Sequence, residues 1–313
     1  MRPAESLATQ RPLAAASELK GIGLAIFAMA CFGAMDALSK LLVSHYPVPL
    51  ILWLRHLVAL PLALLILGPA TLRTGWRSGR PSLQIGRAAL LVTEIGIVFL
   101  CFRALPLADV HAVLAVTPLI VTALSVPLLG ERVGWRRWTA VAVGFLGVLV
   151  IVRPGLTVVH PASLLAVLAA AMYALYNVLT RMAGSIDPPH TSFLWQSVVA
   201  AVLLSLVGPW FWLPLEPVHW LQLVALAGLG ATGHYCLVRA LAHAPAVVIQ
   251  PFSYSMLVWA VLFGYLVFGD FPDAWTIGGA LVVVAAGCYA AWREHVRSRS
   301  SALAVDARGE GSR

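Results

Sequence analysis

The chain has 313 residues, 60% of them hydrophobic and 11% charged, with 21 lysines and arginines against 13 acids. A soluble chain carries about a quarter charged residues, and a water-soluble fold needs a polar exterior that this composition does not supply. A soluble enzyme, a nucleic-acid-binding module and a disordered scaffold are therefore excluded, and the mean hydropathy of +0.88 makes the bilayer the expected solvent.

Residues 1–19 read as a basic N-terminal tail. With Lys20 and the apolar run 22–35 they have the layout of a signal peptide. The run resumes past Asp36 to Val43, however, which makes it long enough to span. A membrane helix needs about 20 mostly apolar residues. Ten such segments follow in order: 21–44, 48–68, 83–104, 107–129, 134–152, 160–183, 191–209, 218–239, 246–268 and 273–292. The gaps are short and hold turn formers such as Gly68-Pro69, Arg153-Pro154-Gly155 and Asp187-Pro188-Pro189. No gap has room for a soluble domain. Residues 294–313 are charged and rich in Ser and Gly, and are predicted to be a disordered tail.

Positive charge sets the orientation. With the N-terminus in the cytoplasm, sixteen Lys and Arg fall in cytoplasmic loops and tails, and two, Arg103 and Arg153, fall outside. Lys40, Arg55 and Arg87 lie within spans. The positive-inside rule then predicts two cytoplasmic termini. It also accounts for the net charge of +8 without a nucleic-acid partner.

The second half echoes the first. Ala34-Met35-Asp36-Ala37-Leu38 and Ala171-Met172-Tyr173-Ala174-Leu175 lie 137 residues apart, and Arg103-Ala104-Leu105 and Arg239-Ala240-Leu241 lie 136 apart. Gly130-Glu131 and Gly269-Asp270 lie 139 apart, and Trp138-Thr139 and Trp275-Thr276 lie 137 apart. Each match occupies the same place in a five-span unit. Five is odd, so the second copy enters the membrane from the opposite side. Inverted repeats of this kind build secondary transporters, in which two bundles rock around a midplane site.

Three stretches carry a family resemblance. They are Lys40 with Leu54-Arg55; Leu114–Glu131, with Pro118 and a closing Leu-Leu-Gly-Glu; and Ala244-Pro245-Ala246 through Pro251-Phe252-Ser253-Tyr254 to Phe268-Gly269-Asp270. Over about residues 20–293 the chain resembles the drug/metabolite transporter superfamily, specifically its EamA-type ten-helix members. Asp270 stands where the second-repeat motif usually has Glu. The resemblance implies an all-α inner-membrane protein with EamA repeats over 20–153 and 160–293, no ATPase module, and a cavity bounded by spans one to four and six to nine. Most such relatives export metabolites, which implies an exporter of an amino-acid-like or metal-chelating metabolite (a metallophore). Met35–Lys40, Tyr46-Pro47 and Trp53-Leu54-Arg55 also resemble importers of riboflavin or S-adenosylmethionine.

Charges inside spans point to the site, because each costs about 2.5–3.5 kcal/mol at a helix centre. Asp36 and Lys40, four residues apart, share a helical face, and one reading pairs them as a structural lock. Arg55 has no local partner and is the candidate grip for an anionic substrate group, a role Lys40 could share. Glu94 sits among Val92, Ile95 and Ile97, where burial disfavours an ionised carboxylate. It is the candidate for coupling protons to transport. In the second repeat, Tyr173, Asn177, Gln196, His234, Tyr235, Gln250 and Tyr254 are read as lining an aromatic side of the cavity. Pro118 and Pro251 occupy corresponding spans as hinge candidates.

Four cysteines without a CxxC pair, and no His or carboxylate at ligand spacing, give no reason to expect a cofactor or metal. An intramembrane enzyme is set aside for want of HExxH or GxSxG. The doublet Asp109 and His111 resembles an acid–base pair but sits at a helix start, where polar residues are routine.

Overall fold

The computed structural model describes residues 3–131, 133–153, 161–244 and 246–310. They form α1 (Pro3–His45), α2 (Val48–Thr74), α3 (Pro81–Ala104), α4 (Leu107–Leu114), α5 (Thr117–Leu129), α6 (Trp135–Val152), α7 (Pro161–Gly184), α8 (Pro189–Val207), α9 (Pro217–His243), α10 (Ala246–Ile249), α11 (Ser255–Phe263) and α12 (Ala274–Glu310). Among the described residues there are ten stretches long and apolar enough to cross a membrane, at the predicted places to within a few residues. α4 and α5 together make the fourth span, and α11 with its flanking turns makes the ninth. The tail beyond 293, predicted to be disordered, carries helical backbone as far as Glu310. Pro154, Gly155, Pro245 and Arg132 lie outside the described residues.

Local sequence explains the ends of the elements. Proline opens α3, α8 and α9 (Pro81, Pro189 and Pro217), where its missing N–H has no helical partner to lose. The fourth span breaks at Ala115–Val116, just before Pro118. The ninth relaxes into a 3₁₀ turn over Gln250–Tyr254, which contains Pro251. The two hinge candidates thus mark matching interruptions, one in each repeat.

The fourth span of each repeat also ends in the same cap. Gly130 (φ 69°) and Gly269 (φ 71°) take the left-handed conformation that glycine adopts without a Cβ penalty. The N–H of Gly130 donates to Val126 O and that of Glu131 to Ser125 O. The N–H of Gly269 donates to Tyr265 O and that of Asp270 to Gly264 O. Each cap therefore projects one acid from the end of its span.

Packing follows the repeat. α1 packs most heavily on α9, and α3 on α7; these are spans one with eight and three with six, which exchange when each span is swapped for its counterpart five later. Spans two and seven (α2 and α8), four and nine (α4 and α11), and five and ten (α6 and α12) pair with their own counterparts. At the last of these seams a Cβ on Gly147 would lie 2.9 Å from Gly279 O, and one on Gly279 would lie 2.6 Å from Gly147 O. The small residues let the two backbones meet.

Candidate functional site

Spans one to four bring the intramembrane charges together. Asp36 on α1 meets His111 on α4, with Oδ2 3.1 Å from Nε2 and both side chains largely buried. The two atoms lie at contact distance without hydrogen-bond alignment. Arg55 on α2 lies within electrostatic reach of both Asp36 and Glu94, and Glu94 on α3 is buried. The direct neighbours of the Arg55 guanidinium are soft: Met35 Sδ at 3.7 Å and the Phe99 ring face at 5.7 Å. A guanidinium carries five N–H donors, and these partners leave most of them uncommitted. Tyr173 on α7 lies beside Glu94 and stacks on Tyr176 at 6.0 Å. Tyr173 is 40% exposed although it is close to buried Glu94.

The proposed Asp36–Lys40 lock is not formed. One helical turn beyond Asp36, the Lys40 ammonium instead meets Asp270 Oδ2 at 3.0 Å, donates to Leu105 O at 3.0 Å and sits 4.6 Å over the Phe268 ring. Adjacency on one helix brought the two ions near each other, but each found a partner on another span that needed compensation of its own. Three ligands thus hold Lys40 and leave it little to offer a substrate. A second clasp lies on the opposite side of the bundle, where Arg181 of α7, one helical turn beyond the position that answers to Lys40, meets Glu131 at 2.5 Å. The two clasps are related by the repeat: each ties the first span of one half to the acid capping the fourth span of the other.

Several second-repeat residues are engaged elsewhere. Gln196 accepts from Arg87 Nη1 at 3.3 Å, within a buried network in which Arg87 Nε also donates to Gln84 Oε1 at 2.6 Å. Asn177 Nδ2 donates to Tyr173 O on its own helix, and His234 Nδ1 lies 2.7 Å from Gly230 O. Tyr235, expected in the cavity, lies on the outward stripe of α9 with exposed Leu221, Val224 and Val238. Tyr254, also expected there, turns toward α12, where its hydroxyl fills the space that a Cβ on Gly287 would need. Gln250 is exposed at the 3₁₀ turn. The reason is common to all: an apolar helix in lipid has no strong polar face to say which way a single hydroxyl or amide points.

Outside the membrane, two acids hold loops. Burial would push the Asp187 carboxyl up, but hydrogen bonds from Ser78, Gln84 and the Gly79 N–H, with the charge of Arg87, hold it below the ordinary carboxylate range. It fastens the loop after span two to that after span six. The hydrogen bond from Arg153 holds Asp273 low against its own desolvation. A cavity of about 440 Å³ opens beside the Arg181–Glu131 clasp, bounded also by Arg80, Leu128 and Met182. His111 is the site residue that sequence reasoning set aside. The available signal was that a buried Asp36 needs a polar partner, but nothing local ranks partners on other helices.

An all-helical membrane bundle of two five-span repeats, with charges of both signs buried between its spans, is the architecture of a secondary carrier. The EamA-like transporter family model matches residues 19–153 and 160–291, and the chain belongs to that family as a multi-pass inner-membrane protein. Among its relatives, an S-adenosylmethionine uptake transporter of Rickettsia conorii is 26% identical over 85% of this chain and 90% of its own length. A riboflavin transporter of Rhizobium johnstonii is 31% identical over 75% and 77%. The pseudopaline exporter CntI of Pseudomonas aeruginosa is 28% identical over 85% and 94%. A solved crystal structure shares the fold, with TM-score 0.55 and 19% identity over 84% of this chain and 96% of that one.

Proposed function

We propose that this carrier moves an amphoteric, amino-acid-like metabolite bearing a planar ring, with S-adenosylmethionine as the best-fitting chemistry. It would work by alternating access, with both termini in the cytoplasm. The uncommitted N–H donors of Arg55 carry the reading, because Asp36 and Glu94 reach the guanidinium only at a distance and leave those donors for an anionic group to accept from. A substrate carboxylate fits there. Asp36 and Glu94 suit a cationic group of the same molecule, Glu94 also remains the proton-coupling candidate, and the stacked Tyr173 and Tyr176 suit a ring. The likeness to the uptake transporter supports the same chemistry.

A second reading, riboflavin, is favoured by the 31% identity to the Rhizobium transporter. Riboflavin carries no charge, so it makes no use of the ion pairs. Export of a metallophore is the reading that the pseudopaline exporter supports. The test is transport by the full chain in proteoliposomes loaded or bathed with labelled S-adenosylmethionine, with riboflavin and pseudopaline as competitors. Saturable flux and a KM raised about tenfold in Arg55→Lys, equivalent to the loss of about 1.4 kcal/mol of binding, are expected. Absence of flux, or wild-type kinetics in both Arg55→Lys and Glu94→Gln, overturns the proposal.

A further inference from the structure

Neither the transport site nor the repeat explains the charges around the cavity of about 440 Å³ beside Glu131. It lies where the last turns of α5 and α7 meet the start of α3, on the face of the bundle that carries both chain ends. Among the described residues that line it, Arg80 and Arg181 are the cations and Glu131 is the one acid. Arg181 commits one N–H to Glu131 and keeps the rest of its five donors. The Arg80 guanidinium makes no hydrogen bond or ion pair among the described residues. Arg80 is also the N-cap of α3, where a cation opposes the helix dipole and makes no capping hydrogen bond. Its place is nonetheless fixed. The Gly79 N–H donates to Asp187 Oδ1 at 2.8 Å and the Ser78 hydroxyl to Oδ2 at 2.5 Å, and a Cβ on Gly79 would lie 2.6 Å from Ile186 Cγ2. The Asp187 clamp thus holds the two residues before Arg80 against the loop after α7 and sets the guanidinium on the cavity rim. The other face of the bundle has no such arrangement. Pro81 opens α3 as Pro217, 136 residues on, opens α9, so Arg80 answers to Glu216, an acid.

We propose that this cavity holds the phosphate of an anionic phospholipid, with Arg80 and Arg181 as its donors. The lining carries one net positive charge, which complements the single negative charge of a phosphodiester, and the volume is that of a small-molecule pocket. Depth agrees. Span ends lie at headgroup level, and the exposed indoles of Trp76 and Trp135, beside the adjoining loops, are the ring type that collects at the membrane interface. Exposed Leu128 and Ile186 give the lipid an apolar border next to the two charges. Basic pockets between spans recur as holders of such headgroups. Arg80 belongs to the first repeat and Arg181 to the second, so a bound headgroup bridges the two halves at this face and competes with Glu131 for Arg181. The site is separate from the transport cluster and does not depend on the substrate proposed above.

The full chain, purified in detergent and stripped of lipid, is titrated with dioleoyl phosphatidylglycerol, and the lipid retained per chain is counted by native mass spectrometry. One tightly held molecule is expected, with dioleoyl phosphatidylcholine held more weakly. Arg80→Gln and Arg181→Gln should each weaken retention about tenfold, the loss of one hydrogen bond to a charged group. Arg73→Gln, at an exposed arginine in the last turn of α2 outside the cavity, should leave it unchanged. Glu131→Gln should tighten it, because the lining then carries two positive charges; a merely structural role for the Arg181–Glu131 pair would weaken it instead. Equal retention of the two lipids, weakening by Glu131→Gln, or a loss in Arg73→Gln as large as that in Arg80→Gln overturns the proposal, the last because diffuse surface charge would then suffice. Displacement of the lipid by inorganic phosphate also overturns it, and makes the cavity a site for a soluble phosphate.

Discussion

The two clasps, Lys40 with Asp270 and Arg181 with Glu131, are built by the same sequence device and stand in different surroundings. Both acids follow a left-handed glycine, both caps make the same pair of backbone hydrogen bonds, and both bases lie on the first span of a repeat. The Lys40 side chain is 14% exposed and is further held by Leu105 O and the Phe268 ring, whereas that of Arg181 is 54% exposed and borders the open cavity. One face of the bundle is fastened and comparatively dry; the other is wet. A shared backbone cap therefore does not fix what an ion pair contributes; the surroundings of the pair weigh on it as well. In a protein that exposes its two faces alternately, these two environments are expected to exchange.

The contrast can be broken most strongly at the dry clasp. Asp270→Asn leaves Lys40 largely buried beside a neutral amide, and, with the Asp270 side chain itself 35% exposed and screened by solvent, is expected to cost about 1–2 kcal/mol. Thermal unfolding of the purified protein in detergent reads this, and the reversed pair Lys40→Asp/Asp270→Lys should recover part of it. The alanine variants of the two cap glycines should be matched in cost, each about 1 kcal/mol, because both positions demand a positive φ; unequal losses would break the equivalence of the repeats. Glu131→Gln, at the wet clasp, should change stability by under about 1 kcal/mol.

Thiol labelling sharpens the same comparison. In the purified protein in detergent, where both faces are reached, a water-soluble thiol reagent should modify Ser185→Cys, beside the cavity, much faster than Leu105→Cys, beneath the dry clasp. Three of the four native cysteines are buried, which keeps the background low. The smallest effect concerns Asp187. Its carboxyl is held low in the folded protein, so the stability it contributes is present above the ordinary carboxylate range and is lost as pH falls through its folded value. Asp187→Asn should flatten the acid limb of the stability–pH curve. Because neutral donors supply much of the effect, added salt should change that limb less than it changes the contribution of Asp273, which depends first on Arg153.

Much of this architecture was legible in the chain. Ten apolar runs of bilayer length and the repeat near 137 residues gave the spans and the correspondence between the two halves, because lipid punishes exposed charge and unpaired backbone at every position. The cap acids were visible as Gly130-Glu131 and Gly269-Asp270. Arg55 and Glu94 stood out because their cost inside a membrane demands an explanation. The partners were harder. Asp36 and Lys40 looked like a pair because sequence reports neighbours along a helix, whereas His111 and Asp270 reach them from distant spans. Tyr235 and Tyr254 were misdirected for a related reason: in lipid an aromatic side chain is at home on either side of its helix.

The glycine seam between the fifth and tenth spans has a mechanical corollary. Where two main chains touch at Gly147 and Gly279 there is no cushion of side chains to slide on, so the halves are pinned along their back like the jaws of a clothes-peg. Displacement between them must then grow with distance from that spine, and even one methyl group inserted there would act as a wedge that splays the jaws.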